Sequence, residues 1–176
     1  RLSSLVSDLL DLARIEAGTL QLARQPCLLA DLIQQAIQRA RPAPEGGVRL
    51  EVDSALPPLQ VDRRRIEAVL RNLIENAAKY AGSACSVTIS AAAEDGQVVL
   101  RVIDDGPGIP EDSSARVFEP FVRLDLPLAR QTPGAGLGLS ICRGFVRAYG
   151  GEIWLEKTTR GTSVAVSLPL EEPSLA

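Results

Sequence analysis

The chain has 176 residues, 45% of them apolar and 23% charged, and nineteen basic against twenty-two acidic side chains give a formal charge of -3. That is room for one well-packed domain with a small attachment, not for two large enzyme domains. The composition excludes wholesale disorder, and the near balance of charge, with no Lys/Arg cluster, removes the electrostatic warrant for nucleic-acid binding.

No apolar run reaches the length of a membrane span, and the opening Arg1-Leu2-Ser3-Ser4 is not a signal peptide. Histidine is absent, which excludes histidine triads, histidine metal sites and a phosphohistidine within these residues. Methionine is absent too, which reads as a piece of a longer protein. Cys27, Cys85 and Cys142 lie far apart, cannot all pair, and read as buried thiols of a reducing compartment.

In chain order, Leu2, Leu5, Leu9 and Leu12 recur at spacings of three and four, with Val6, Ala13 and Ile15 widening the stripe. This predicts an amphipathic helix ending near Gly18. So short a helix is marginal alone, so its stripe needs a partner, whether upstream, on another subunit or on the main domain. Residues 19–25 suit a short strand or an extended linker. A helix over 29–41 follows, stopped by Pro42-Ala43-Pro44-Glu45-Gly46-Gly47.

Val48 to Val52 alternates as a strand does, Pro57-Pro58 turns the chain, and Asp62 caps a long helix over 63–80. Strands at 87–89 and 98–103 are joined by a tight turn at Glu94-Asp95-Gly96. A glycine-rich loop over 134–138 opens a helix through Tyr149, and 152–156 with 162–168 form a closing hairpin. Helices that sit between hairpins predict an α+β fold, a two-layer sandwich with a mixed, mainly antiparallel sheet covered by helices on one face. Residues 171–176 read as a loose tail.

Three segments carry chemistry. On the helix over 63–80, Asn72, Glu75, Asn76 and Lys79 share one face opposite an apolar stripe. Two amides, an acid and an ammonium suit a hydrated divalent cation and phosphate oxygens; taken alone, they equally suit a solvated face with a Glu75 to Lys79 salt bridge. A strand then runs into Asp104 and Gly106-Pro107-Gly108-Ile109, so that backbone able to approach a flat ligand stands beside an acid able to accept a hydrogen bond from an exocyclic amine. Strand alternation turns Asp105 the other way. Finally, Gly134-Ala135-Gly136-Leu137-Gly138-Leu139 would let backbone amides approach phosphate at a helix start. It comes too late in the chain for a dinucleotide fingerprint, and it lacks the Lys-Ser/Thr ending of the usual NTPase loop.

As an ordered set, with Phe118-Glu119-Pro120-Phe121-Val122-Arg123 between the last two, these segments closely resemble the ATP-binding domain of bacterial two-component sensor histidine kinases. Its wider superfamily includes type II topoisomerases, Hsp90-like chaperones and MutL-like repair proteins. The resemblance covers residues 28–170, while residues 1–18 look like the second helix of the kinase dimerisation domain, with 19–27 as linker.

The resemblance implies ATP and magnesium as ligands. Asn76 would coordinate the metal with help from Asn72, Lys79 would meet phosphate, and Tyr80 would line the adenine pocket. Asp104 would bond the adenine amine, with Gly106 and Gly108 shaping the pocket. Phe118 and Phe121 would anchor a lid over 122–133 from which Arg123 or Arg130 approaches phosphate, and Gly134, Gly136 and Gly138 would let it close. Ile109, Leu137 and Leu139 complete the nucleotide-binding set. Glu75, Lys79 and Arg123 are the implied catalytic group.

The implied activity is transfer of the γ-phosphoryl of Mg-ATP to a histidine outside these residues, then to a response-regulator aspartate. The implied partners are the protein's own upstream phosphoacceptor helix, a second copy in a homodimer, and a receiver domain. The implied location is cytoplasmic, with attachment of the parent to the inner membrane left open. The alternative is a histidine-free regulatory pseudokinase or phosphotransfer scaffold; an anti-sigma-like serine kinase is disfavoured by the opening helix.

Overall fold

A computed structural model describes residues 2–82, 84–123 and 134–170, with side chains from Leu5 onward. Four helices appear among them: α1 (Leu2–Glu16), α2 (Leu29–Arg39), α3 (Arg63–Tyr80) and α4 (Gly138–Ala148). The strands are β1 (Gln25–Cys27), β2 (Val48–Val52), β3 (Leu59–Val61), β4 (Val87–Glu94), β5 (Gln97–Asp104), β6 (Ile153–Glu156) and β7 (Ser163–Pro169).

Five strands form the main sheet in the order β2-β4-β5-β7-β6. Only β2 with β4 is parallel; the other pairs are antiparallel. The mixed, mainly antiparallel sheet and the α+β class match the sequence expectation. The β4–β5 turn is held by Asp95 and Gly96, whose φ values of 46° and 77° give the left-handed pair that a two-residue hairpin favours. β1 and β3 make a separate antiparallel pair. The linker expected over 19–27 thus ends in a strand, and the turn at Pro57-Pro58 runs straight into another.

Period-two alternation decides which sheet face meets the helices. Val87, Ile89 and Ala91 on β4 are buried, as are their partners Val102 and Leu100 on β5 and, one strand further, Val166 on β7. Against them lie Ile66, Leu70, Leu73 and Ile74 of α3, Ile141 and Phe145 of α4, and Leu32, Ile33 and Ala36 of α2 in one core. On the opposite face Arg101 bridges Glu94 at 2.7 Å and Glu156 at 2.9 Å, tying three strands together.

The α3 start is fixed by Asp62, whose carboxylate accepts from Arg64 N at 3.0 Å and from Ala23 N at 3.1 Å. Asp62 N in turn donates to the hydroxyl of buried Tyr149, 3.0 Å away. Burial pushes the Tyr149 phenol up to about 12, so it stays neutral and accepts that bond.

α1 folds back on this body. Leu5, Leu12 and Ile15 pack against the core, and the Asp11 carboxylate meets the Arg65 guanidinium at 2.8 Å. Arg65 also lies over the Phe145 ring, 4.8 Å from its centroid. Gly144 leaves the space that Ile15 fills, since a Cβ there would stand 2.5 Å from it. Val6, Leu9 and Leu10 on the other face of α1 remain exposed. α2 ends at Arg39, two residues short of the expected 41, because the Pro42-containing loop begins there.

Tyr149→Phe is expected to leave Asp62 N without its partner and to lower stability by about 1–2 kcal/mol. Urea denaturation followed by circular dichroism measures this, with the midpoint falling and the slope unchanged.

Candidate functional site

Most of the residues singled out in the sequence line one cavity of about 1040 Å³. Its long wall is the polar face of α3: Asn72, Glu75, Asn76, Lys79 and Tyr80 all line it. The end of β5 supplies Asp104, the loop after it Gly108 and Ile109, and the start of α4 supplies Gly134, Gly136, Leu137, Gly138 and Leu139. Arg123 reaches it as well. Gly106 and Phe121 do not line it, and Arg130 and most of the expected lid lie outside the described residues. Of the two expected lid anchors, Phe118 is buried whereas Phe121 is 64% exposed. Phe121 sits at a φ of 63° and donates its N–H to Gly136 O at 2.9 Å, so its backbone rather than its ring is anchored.

Asp104 stands opposite Val87 in the ladder, on the helix-covered face, as alternation requires. Its Oδ1 accepts from Gly106 N at 2.9 Å and from Thr162 N at 3.2 Å. Burial raises its pKa above the ordinary carboxyl value, the N–H groups of Gly106 and Thr162 and the Thr162 hydroxyl pull it down, and neighbouring Asp105 pushes it up. Asp105 points elsewhere and accepts from Ser86 N at 3.0 Å. The turn before β7 comes so close that a Cβ on Gly161, at φ 74°, would stand 1.8 Å from Asp104 O.

On α3, Asn76 Nδ2 donates to Asn72 Oδ1 at 3.1 Å. The start of α4 presses on that pair, because a Cβ on Gly138 would lie 2.3 Å from Asn72 Nδ2. Glu75 is engaged at both oxygens, accepting from Arg41 N at 3.1 Å and from Lys79 Nζ at 3.2 Å, with Arg71 Nε 3.9 Å away. The salt bridge that the sequence left as an alternative is therefore present, and it stands inside the cavity wall.

Some wall residues had no sequence signal. Thr162 follows what reads as an ordinary turn, and only its pairing beside Asp104 reveals it. Arg41 and Pro42 arrive from the α2 loop, Arg71 sits beside a motif residue, and Leu5 and Asp8 come from α1.

The donor set fits a nucleotide with a hard cation. A recessed carboxylate acceptor suits an exocyclic amine, and two amides suit a partly hydrated cation. Arg41, Arg71, Lys79 and Arg123 supply positive charge for phosphates within a chain of net charge -3. Residues 61–172 match the family described as histidine kinase-, DNA gyrase B- and HSP90-like ATPases.

The chain belongs to that family. Domains of this family characteristically bind Mg-ATP, and the relatives place this one among the ATP-binding catalytic domains of two-component sensor histidine kinases. The alginate biosynthesis sensor protein KinB of Pseudomonas aeruginosa is 38% identical over 156 residues, 87% of this chain and 26% of that protein. Full-length ShkA in complex with AMPPNP superposes with a TM-score of 0.81 at 35% identity, covering 96% of this chain and 35% of that one. The histidine kinase ThkA in complex with the response regulator TrrA gives 0.71 at 25% identity, over 98% of this chain and 50% of that one. The chain thus spans about a quarter of the length of KinB.

Because Asp104 is held above its ordinary pKa, it takes up a proton more readily in the folded state than in the unfolded one. Its contribution to stability is full below the unfolded value and is lost as pH rises through the folded one. Asp104→Asn removes that slope. Urea titrations from pH 4 to 7.5 are expected to show the variant gaining stability relative to wild type as pH rises.

Proposed function

We propose that this chain is the phosphoryl-donor part of a sensor histidine kinase, holding Mg-ATP for transfer to a histidine carried outside these residues and onward to a response-regulator aspartate. The observation that carries the reading is the meeting of Asp104, at the floor of the cavity, with the Asn72-Asn76-Lys79 row along its wall. Asp104, already accepting from two backbone N–H groups, keeps an oxygen for the adenine amine, and Tyr80, Ile109 and Gly108 bound the ring. Asn76, with Asn72 as its hydrogen-bonded neighbour, offers amide oxygen to the cation. Lys79, steadied by Glu75, and Arg123 face the phosphates, with Gly134, Gly136, Leu137, Gly138 and Leu139 closing the far wall.

Bound Mg-ATP supplies the transferable group and neutralises charge on its leaving oxygen. The protein's part is alignment and electrostatic preorganisation. Glu75, with both oxygens taken, is a positioning residue in this reading rather than a base.

The domain boundaries follow: 1–18 as the second dimerisation helix, 19–27 as linker and 28–170 as the catalytic domain. Exposed Val6, Leu9 and Leu10 on α1 support a second helical partner for that face. The ThkA–TrrA complex among its relatives supports a receiver domain as the next acceptor. The alternative reading is a histidine-free regulatory pseudokinase or phosphotransfer scaffold that binds nucleotide without transfer.

Asn76→Ala is expected to remove the magnesium-dependent part of nucleotide affinity. Calorimetric titration of ATP with and without magnesium checks this, and equal enhancement in wild type and variant would make Asn76 a structural amide. Asp104→Asn should weaken ATP binding roughly ten- to a hundredfold, as loss of a hydrogen bond to a charged acceptor does. With Mg-ATP, the chain alone should bind without acquiring acid-labile phosphate, while the intact kinase should acquire it. Binding without transfer even in the intact kinase would favour the scaffold reading.

A further inference from the structure

Arg71 is one of four cations that the described residues place in the cavity wall and lies outside the residues that the sequence motifs mark for the nucleotide, and Asp8 of α1 lines the same cavity. On α1 the residues Leu5, Asp8, Asp11, Leu12 and Ile15 are the shielded ones, a single helical face, while Val6, Leu9 and Leu10 point to solvent. Asp11 paired with Arg65 and Ile15 seated on Gly144 fix that face on the body. One turn back from Asp11, Asp8 faces the cavity that Arg71 lines; burial and then Asp11 push its pKa up, and the Arg71 charge draws it down.

The position of Arg71 along α3 says which part of a nucleotide it can meet. Asp104 and Gly106 close against Ala81 at the end of α3, where a Cβ on Gly106 would stand 2.4 Å from Ala81 Cβ. Arg71 is ten residues earlier, about 15 Å along a helix. With the base at Asp104, that end of the cavity is where a triphosphate terminates.

We propose that Arg71 is a further nucleotide-binding residue that reads the terminal phosphate, and that Asp8 of the docked α1 competes with the phosphate for it. The inference rests on the Mg-ATP reading above. In the arrangement seen, Glu75 Oε1 stands 3.9 Å from Arg71 Nε, and Asp8, in the same cavity wall, is near enough for the Arg71 charge to act on it. A terminal phosphate adds negative charge where Asp8 already contributes it. A triphosphate is therefore discouraged while α1 is docked, and a diphosphate, one group shorter, is indifferent to the same contact.

Calorimetric titration of Mg-ATP and Mg-ADP into wild type, Arg71→Ala, Asp8→Asn and the double variant tests this, with circular dichroism melts confirming the fold. Arg71→Ala is expected to weaken Mg-ATP by about three- to tenfold, the scale of a partly exposed charge pair, and to leave Mg-ADP within about twofold. Asp8→Asn should tighten Mg-ATP by a similar factor, less so at high salt, and have no effect once Arg71 is removed. Equal losses for both nucleotides, or none, would overturn the assignment of Arg71. Weaker Mg-ATP binding by Asp8→Asn would make Asp8 a cation ligand and overturn the competition. Wild type that binds neither nucleotide would reject the nucleotide reading itself, and this inference with it.

Discussion

The structure depends on a close approach of two backbones at the end of β5. The carbonyl of Asp104 leaves no room for a side chain on Gly161, and the carboxylate above it is tethered to N–H groups on both neighbouring loops. That contact fixes the acid in a partly buried place beside Val102, Ile109 and Val164, where an unsupported carboxylate would be costly. Since β5 is the middle strand of the sheet, its end cannot shift without disturbing β4 and β7 together. The floor of the cavity therefore takes its rigidity from the sheet, and the rest of the site is arranged around it.

The other wall owes its shape to α3, an eighteen-residue helix with two faces. One face carries Ile66, Leu70, Leu73 and Ile74 into the core, and the reverse carries amides and charges into the cavity. Hydrogen bonding along that polar face forms two sets: Asn76 donates to Asn72, and Glu75 accepts from both Lys79 and the backbone N–H of Arg41. Asn72, Glu75, Asn76 and Lys79 are each oriented by a neighbour, and such preorganisation lowers the ordering cost of binding. Arg41 brings the α2 loop into this chain of contacts, so the cavity is bounded by parts of the sequence that share no motif.

The legible parts of the fold were those governed by local periodicity. α3, its Asp62 cap, β2 and the Asp95-Gly96 hairpin are each specified by neighbours in sequence, and the motif residues on α3, β5 and α4 came with them. The short strands β1 and β3 were not legible in the same way. Three residues do not establish a period, and their pairing joins segments more than thirty residues apart. Thr162 and Arg71 escaped for a related reason, since what qualifies them is a place set by the fold, the one beside Asp104 and the other in the cavity wall. The amphipathic stripe of α1 announced that a partner was needed. It did not say that Gly144 and Arg65 would provide one.

Asp62 links that helix to the remainder in an unusual way. One of its oxygens caps α3 while the other holds the backbone of residue 23, and Arg24 next to it lies 5.4 Å from the Tyr149 ring centroid and donates to Ala148 O at 3.4 Å. The strap between α1 and the domain is thus clamped at the N-terminus of α3 and the C-terminus of α4 simultaneously. Two anchor points leave that segment less backbone freedom than a linker tied at neither end. Moving α1 away from the domain would cost the Ala23 and Arg24 bonds at both helix ends.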